Sequence, residues 1–174
     1  MSLRAACLVA LALGVAACSS TKSMVDAKPY KQNIDLAGPA AKVFDALVAV
    51  VNANNMRMTT VSKDSGVLEV APSPVSAEDM DRYCTFPAHD SKGNPVSTFA
   101  AYAHEHSSKD KPAGDGSVLL SFLVTTATPE SCNVSLTANW TTHYADGTVA
   151  CDSKGVLEAR LIDQLKTQLL TPGK

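Results

Sequence analysis

The chain has 174 residues, 45% of them hydrophobic and 18% charged, with 15 basic against 17 acidic side chains. This is the composition of an ordinary globular protein, and no basic cluster offers the electrostatic footprint of a nucleic-acid partner. Aromatic residues make up 5%, too few for a sugar-stacking platform.

The first element is a targeting segment. Met1-Ser2-Leu3-Arg4 is a short positive start, and Ala5 to Val15 is an unbroken apolar run. The run has the length of a signal-peptide core, roughly 7–15 residues. It falls short of the ~20 apolar residues that a membrane-spanning helix needs. It ends in Val15-Ala16-Ala17-Cys18, an aliphatic residue, two small ones and a cysteine. This motif resembles the lipobox of bacterial lipoproteins. The resemblance implies cleavage between Ala17 and Cys18, diacylglycerol on the Cys18 sulfur and acylation of the new amino terminus. One acyl chain binds a membrane only marginally, while two or more hold it stably, so the implied partner is the membrane itself. Ser19 stands where an aspartate typically marks retention in the inner membrane of such hosts. Its presence implies the outer membrane, with the domain in the periplasm.

Residues 18–28 are small and polar, without apolar periodicity, and read as a flexible tether. Residues 29–174 read as one domain, a comfortable length for a single core. Tyr30, Ile34 and Leu36 alternate with Lys31, Asn33 and Asp35 as in a half-buried strand. A helix follows Gly38-Pro39, with Val43, Phe44, Leu47, Val48, Val50 and Val51 on its apolar face and Asn54-Asn55 as a left-handed stop. Met56–Val61 and Val67–Val70 form a hairpin through Lys63-Asp64-Ser65-Gly66. Residues 71–81 contain two prolines and read as a loop with one helical turn at Ala77–Met80. A second hairpin is expected from Arg82–Phe86 and Val96–His106, then a charged loop over 107–116. The clearest strands come next, one carrying Val118, Leu120, Phe122 and Val124, the other Val134, Leu136, Ala138, Trp140 and Tyr144. After Asp146-Gly147 a short strand returns to Cys151. Asp152 or Ser153 can then cap a last helix with Leu157, Leu161, Ile162, Leu165 and Leu169 on its buried stripe.

Strand runs between two amphipathic helices predict an α+β fold, an antiparallel sheet of six to seven strands with both helices on one face. The order β-α-β(n)-α is similar to the helix-grip arrangement of START-like domains and of BamC-like envelope lipoproteins. Val43-Phe44-Asp45-Ala46-Leu47, leading to Lys63-Asp64-Ser65-Gly66-Val67-Leu68, resembles the opening of such domains. The likeness is one of element order and transfers no active residues.

Cys7 leaves with the signal and Cys18 carries lipid, so Cys84, Cys132 and Cys151 remain in a compartment where disulfides persist. Three cysteines allow one bridge. Cys84–Cys151 is favoured because it ties the last helix to the sheet, with Cys132–Cys151 as the alternative.

Candidates for chemistry are sparse. His104 and His106 share one side of a strand and, with His89 or His143, could hold zinc, but no carboxylate or cysteine at metal-ligand spacing completes the set. No Gly-x-Ser-x-Gly elbow and no Ser-x-x-Lys opens a helix, and the glycines show no phosphate-binding pattern. No catalytic residue and no cofactor is assigned. The sequence therefore reads as a non-enzymatic, lipid-anchored envelope protein that binds another envelope protein. A module for lipid or another apolar small molecule is the first alternative, and a histidine-dependent metalloenzyme the second.

Overall fold

The computed structural model describes residues 28–86, 116–144 and 147–170. In chain order these form β1 (Tyr30–Ala37), α1 (Ala40–Ala53), β2 (Met58–Ser62), β3 (Val67–Val75), α2 (Ala77–Tyr83), β4 (Cys84–Thr85), β5 (Gly116–Thr128), β6 (Ser131–Tyr144), β7 (Gly147–Ser153) and α3 (Val156–Leu170). The fold is α+β, a seven-stranded antiparallel sheet in the order β2-β3-β5-β6-β7-β4, with β1 also on β6.

The two longest strands are the two with the strictest alternation. Along β5, Val118, Leu120, Phe122 and Val124 are buried, and along β6 so are Cys132, Val134, Leu136, Ala138 and Trp140. Each side chain points opposite to its neighbour, so one face of the pair is apolar and the other carries Ser117, Ser121, Asn133, Ser135, Thr137 and Asn139. β5 accompanies β6 along nearly its whole length, from Gly116↔Thr142 to Thr128↔Ser131. The other edge of β6 is divided between two strands. β1 covers Ser131 to Ala138 and β7 covers Trp140 to Tyr144, so they lie end to end.

Both long helices lie on the apolar face. Val43, Phe44, Leu47, Val50 and Val51 of α1 and Leu157, Leu161, Ile162 and Leu165 of α3 join the inward residues of the sheet in one core. Fully burying a side chain of this size contributes about 1.5–3 kcal/mol, which fixes the helices against the sheet more firmly than helix propensity could. α1 ends at Ala53 and is capped by Asn54; Asn55 beyond it, at a φ of 53°, is the left-handed stop expected of the Asn54-Asn55 pair. The Asn54 side-chain amide donates to the Val50 carbonyl at 2.8 Å.

Three expectations are corrected. β3 does not stop at Val70 but continues through Pro72 and Pro74 to Val75, after a register shift between Val70 and Ser73. The prolines fit because β2 pairs only with Val67–Val70, so the later part of β3 is an edge, where a missing N–H breaks no ladder. The single turn at Ala77–Met80 is a seven-residue helix that also takes Arg82 and Tyr83 out of the expected strand. Ser76 causes this: its hydroxyl accepts from the Asp79 amide at 3.2 Å and donates to the Asp79 carboxylate at 2.9 Å, a reciprocal N-terminal cap. What remains of the strand, Cys84–Thr85, pairs with β7; its expected partner, Val96–His106, lies outside the described residues. Finally, neither Asp152 nor Ser153 is the residue before α3. Both belong to β7, and Gly155, at φ 75°, leads into the helix.

Candidate functional site

The densest cluster of polar and aromatic side chains lies where β6, β7 and the start of α3 meet. Trp140 on β6 stands in register with Cys151 on β7. Cys151 is bonded to Cys84, with 5.7 Å between their Cα atoms, so the bridge joins the α2–β4 segment to the strand that feeds α3. Tyr83, the last residue of α2, stacks on the Trp140 indole with ring centroids 5.2 Å apart. Below the indole lies Glu158, completely buried in the first turn of α3. Its Oε1 accepts from Trp140 Nε1 at 2.9 Å and from the Ser153 hydroxyl at 2.6 Å, and that hydroxyl accepts in turn from the Gly155 amide at 2.9 Å. A helix N-terminus favours negative charge, and this partly offsets the cost of enclosing a carboxylate. Glu158 Oε2 has no protein hydrogen-bond partner.

Tyr30 closes the corner from the N-terminal side. Its ring lies so near Gly155 that a Cβ there would come within 3.2 Å of it. The phenol donates to Gln32 Oε1 at 3.1 Å. Burial, and then the negative charge of Glu158, push the phenol above its ordinary range. Just upstream, the Lys28 amide donates to Asp152 Oδ1 at 3.2 Å. The first described residues are thus held by the same corner as the disulfide. In this arrangement the Glu158 Oε1 atom joins strand, helix and indole in one geometry.

The remaining cysteine, Cys132, is a buried thiol pushed upward by burial and then by the Asp35 carboxylate. It pairs with Leu36 at the far end of β6, eight positions from Trp140. At about 3.3 Å per residue that is roughly 26 Å, far beyond the Cα separation a disulfide spans. Cys132–Cys151 is therefore not an available pairing in this fold.

The open face of the sheet carries the second candidate. Pro72, Pro74, Ser117, Leu119, Thr141 and His143 outline a groove of about 480 Å³. Ser117 Oγ and His143 Nε2 are 3.1 Å apart across β5 and β6. A serine nucleophile needs its base oriented by a third group, and among the described residues no carboxylate bonds His143. This pair belongs to the polar ladder of the face, like Ser135 donating to Asn33 Oδ1 at 2.6 Å and Asn133 to Asp35 Oδ1 at 3.1 Å. His104, His106 and His89 lie outside the described residues, as does Cys18. Among the described residues no three His, Cys, Asp or Glu side chains gather as metal ligands. No described helix is long and apolar enough to cross a membrane.

A third concavity, of about 690 Å³, runs between α1 and α3, with Ala49, Val50, Ala53, Val156, Ala159 and Arg160 in its walls. The layer between sheet and helices, where an apolar ligand would sit in a helix-grip fold, is filled by Phe44, Leu47, Phe122, Leu136, Leu161 and Leu165.

Glu158 escaped the sequence reading, although a signal was present. It stands three, four and seven residues before Leu161, Ile162 and Leu165, on the apolar stripe itself, where an acid is out of place.

The fold and its corner define a disulfide-closed α+β domain with its two long helices layered on one sheet face. No protein-family model and no curated protein matches the chain. Among solved structures it is similar to a DUF4468 family protein from Bacteroides ovatus, at 9% identity and a TM-score of 0.35. The match covers 75% of this chain and 66% of that one, just under two thirds of its length. A superposition at that level carries no functional argument.

Proposed function

We propose that the chain is a lipid-anchored envelope protein whose domain acts as a non-enzymatic, protein-binding accessory at the outer membrane. The observation that carries this reading is Val15-Ala16-Ala17-Cys18 at the end of the apolar run Ala5–Val15. The disulfide supports it: Cys84 and Cys151 are both buried in the bridged state, and such bridges persist in oxidising compartments and are rare in the cytosol. The described elements add a sheet whose open face carries mainly polar side chains, which residues 18–28 would join to the anchor. An accessory of this kind needs a firm surface carried clear of the bilayer on a tether.

Intact mass of the full chain extracted from native membranes tests the anchor. The expected mass is that of residues 18–174 plus acyl chains, and Cys18→Ser moves the protein out of the membrane fraction. An unlipidated mass would end the proposal. Crosslinking in intact cells followed by affinity capture tests the accessory role. A stoichiometric envelope partner is expected, and a chain that crosslinks to nothing speaks against it.

A further inference from the structure

Strand β1 is bonded along one edge only. It pairs with β6 over all eight residues, Tyr30↔Ala138 to Ala37↔Ser131, without a register shift, and no other described strand lies against it. Which backbone groups face outward follows from the ladder. Just past the strand, the Gly38 amide donates to the Glu130 carbonyl at 2.6 Å. The residues that exchange bonds with β6 are therefore those an even number of steps from Gly38. Counted across β3, β5 and β6 from the bond between the Val124 amide and the Gly66 carbonyl, the phase is the same. The amides and carbonyls of Lys31, Asn33 and Asp35 thus point away from the sheet, unbonded among the described residues. The other described edges are blunted in ways that suppress strand addition. The free part of β3 carries Pro72 and Pro74, β2 has five residues and a register shift, and β7 is partly covered by β4. β1 contains neither proline nor shift, and its one cation, Lys31, is matched by Asp35.

We propose that this edge is where a second copy of the chain docks, β1 against β1 in antiparallel orientation, so that two sheets become one. A row of unpaired amides and carbonyls is filled by a strand, and charge selects which strand. A two-fold contact uses the same patch on both copies. With the axis at Asn33, Lys31 of each copy stands opposite Asp35 of the other, and Asn33 opposite Asn33. These are the three outward residues, so every one of these pairs exchanges two N–H···O bonds. An axis at Lys31 or Asp35 would set like charges opposite, and one at Gln32 or Ile34 would leave both charges unmatched. Lys31 has no ion-pair partner among the described residues. Asp35 accepts from the Asn133 amide through Oδ1 alone, which leaves Oδ2 for the lysine. On the helix side, the half-buried Ile34 and Tyr30 come opposite Gln32 and Leu36 of the other copy and lose part of their remaining exposure. Nothing in this contact involves Cys18, so it stands or falls apart from the anchor.

Sedimentation velocity and residue-resolved amide hydrogen exchange of the full chain, in density-matched detergent over a concentration series, test the proposal. In dilute solution the amides of Lys31, Asn33 and Asp35 should exchange fast and those of Gln32, Ile34 and Leu36 slowly. As the dimer forms, the first set should slow. Lys31→Asp and Asp35→Lys should each weaken association at least about fivefold through like-charge cross-strand pairs, and the double variant should restore it. Both side chains are exposed, so thermal melts should stay near that of the parent chain. Asn33→Pro should abolish the dimer in a chain that still folds, because the amide it removes faces away from β6. A chain monomeric throughout overturns the proposal. So does a dimer indifferent to these changes, which is what two anchors sharing a micelle would give, or a double variant that fails to recover. Protection of the Lys31, Asn33 and Asp35 amides at every dilution would mean that the chain itself covers the edge, and overturns self-association too.

Discussion

Glu158 stands where a carboxylate is expensive, and the corner around it is built to meet that expense. Leucine at this position would leave the Trp140 N–H and the Ser153 hydroxyl buried without their acceptor. An unsatisfied buried group costs about 1–3 kcal/mol, so Glu158→Leu should lower the urea midpoint markedly. Glu158→Gln keeps an acceptor oxygen for both donors and should lose less; equal losses would show that the hydrogen bonds are not what matters. Tyr30 and Cys132 make a second prediction. Both acids hold their protons to higher pH in the folded chain than in the unfolded one. Their contribution is complete below the ordinary thiol and phenol values of 9.0 and 10.0 and is lost as pH rises through the raised folded values. Melting temperature should therefore fall above pH 9.0, and Tyr30→Phe should flatten the part of the fall above 10.0. An unchanged slope in that variant would remove Tyr30 from the account. None of this network was legible as chemistry in the sequence, because its hydrogen bonds join residues whose proximity only the fold creates. The acid on an apolar stripe was the one trace it left.

Among the elements, legibility followed periodicity. β5 and β6 were plain because one face is buried from Val118 to Val124 and from Cys132 to Trp140, so every second residue there repeats the message. α2 was obscured because it buries only Met80, which leaves no periodic stripe, and because the prolines before it suggest a loop. Its signal was the cap, and Ser76→Ala should cost about 1 kcal/mol, read as a lower urea midpoint. β3 was cut short for a related reason, since proline argues against a strand except at an edge, and edges are a property of the sheet. The β2–β3 turn shows the opposite case, where residue type alone was enough. Gly66 has φ 70°, a Cβ there would run into the Val124 carbonyl, and its own carbonyl accepts from the Val124 amide at 2.8 Å. Gly66→Ala should cost at least about 1–2 kcal/mol from the backbone conformation alone. A melt equal to that of the parent chain would mean that the turn relaxes freely.

At the scale of the whole molecule, the disulfide closes a span of 67 residues between Cys84 and Cys151. A bridge over such a loop contributes about 4 kcal/mol in the chain-entropy picture, so Cys84→Ser should lose most of that on denaturant unfolding. The fold class could be read from element order, and the favoured Cys84–Cys151 pairing is the one the structure holds; the register that sets Cys151 beside Trp140 and Cys132 at the other end of β6 is what removes the Cys132–Cys151 alternative. The shared edge of β6 also has a mechanical meaning. A load arriving from the chain ahead of Lys28 enters the domain at Tyr30, which lies at the joint between β1 and β7. Pulled along its axis, β1 resists by shear, with all eight register pairs from Tyr30↔Ala138 to Ala37↔Ser131 bearing at once. Pulled sideways, it peels from Tyr30 one pair at a time. The direction of a pull on this domain thus decides whether its first strand behaves as a rivet or as a zip.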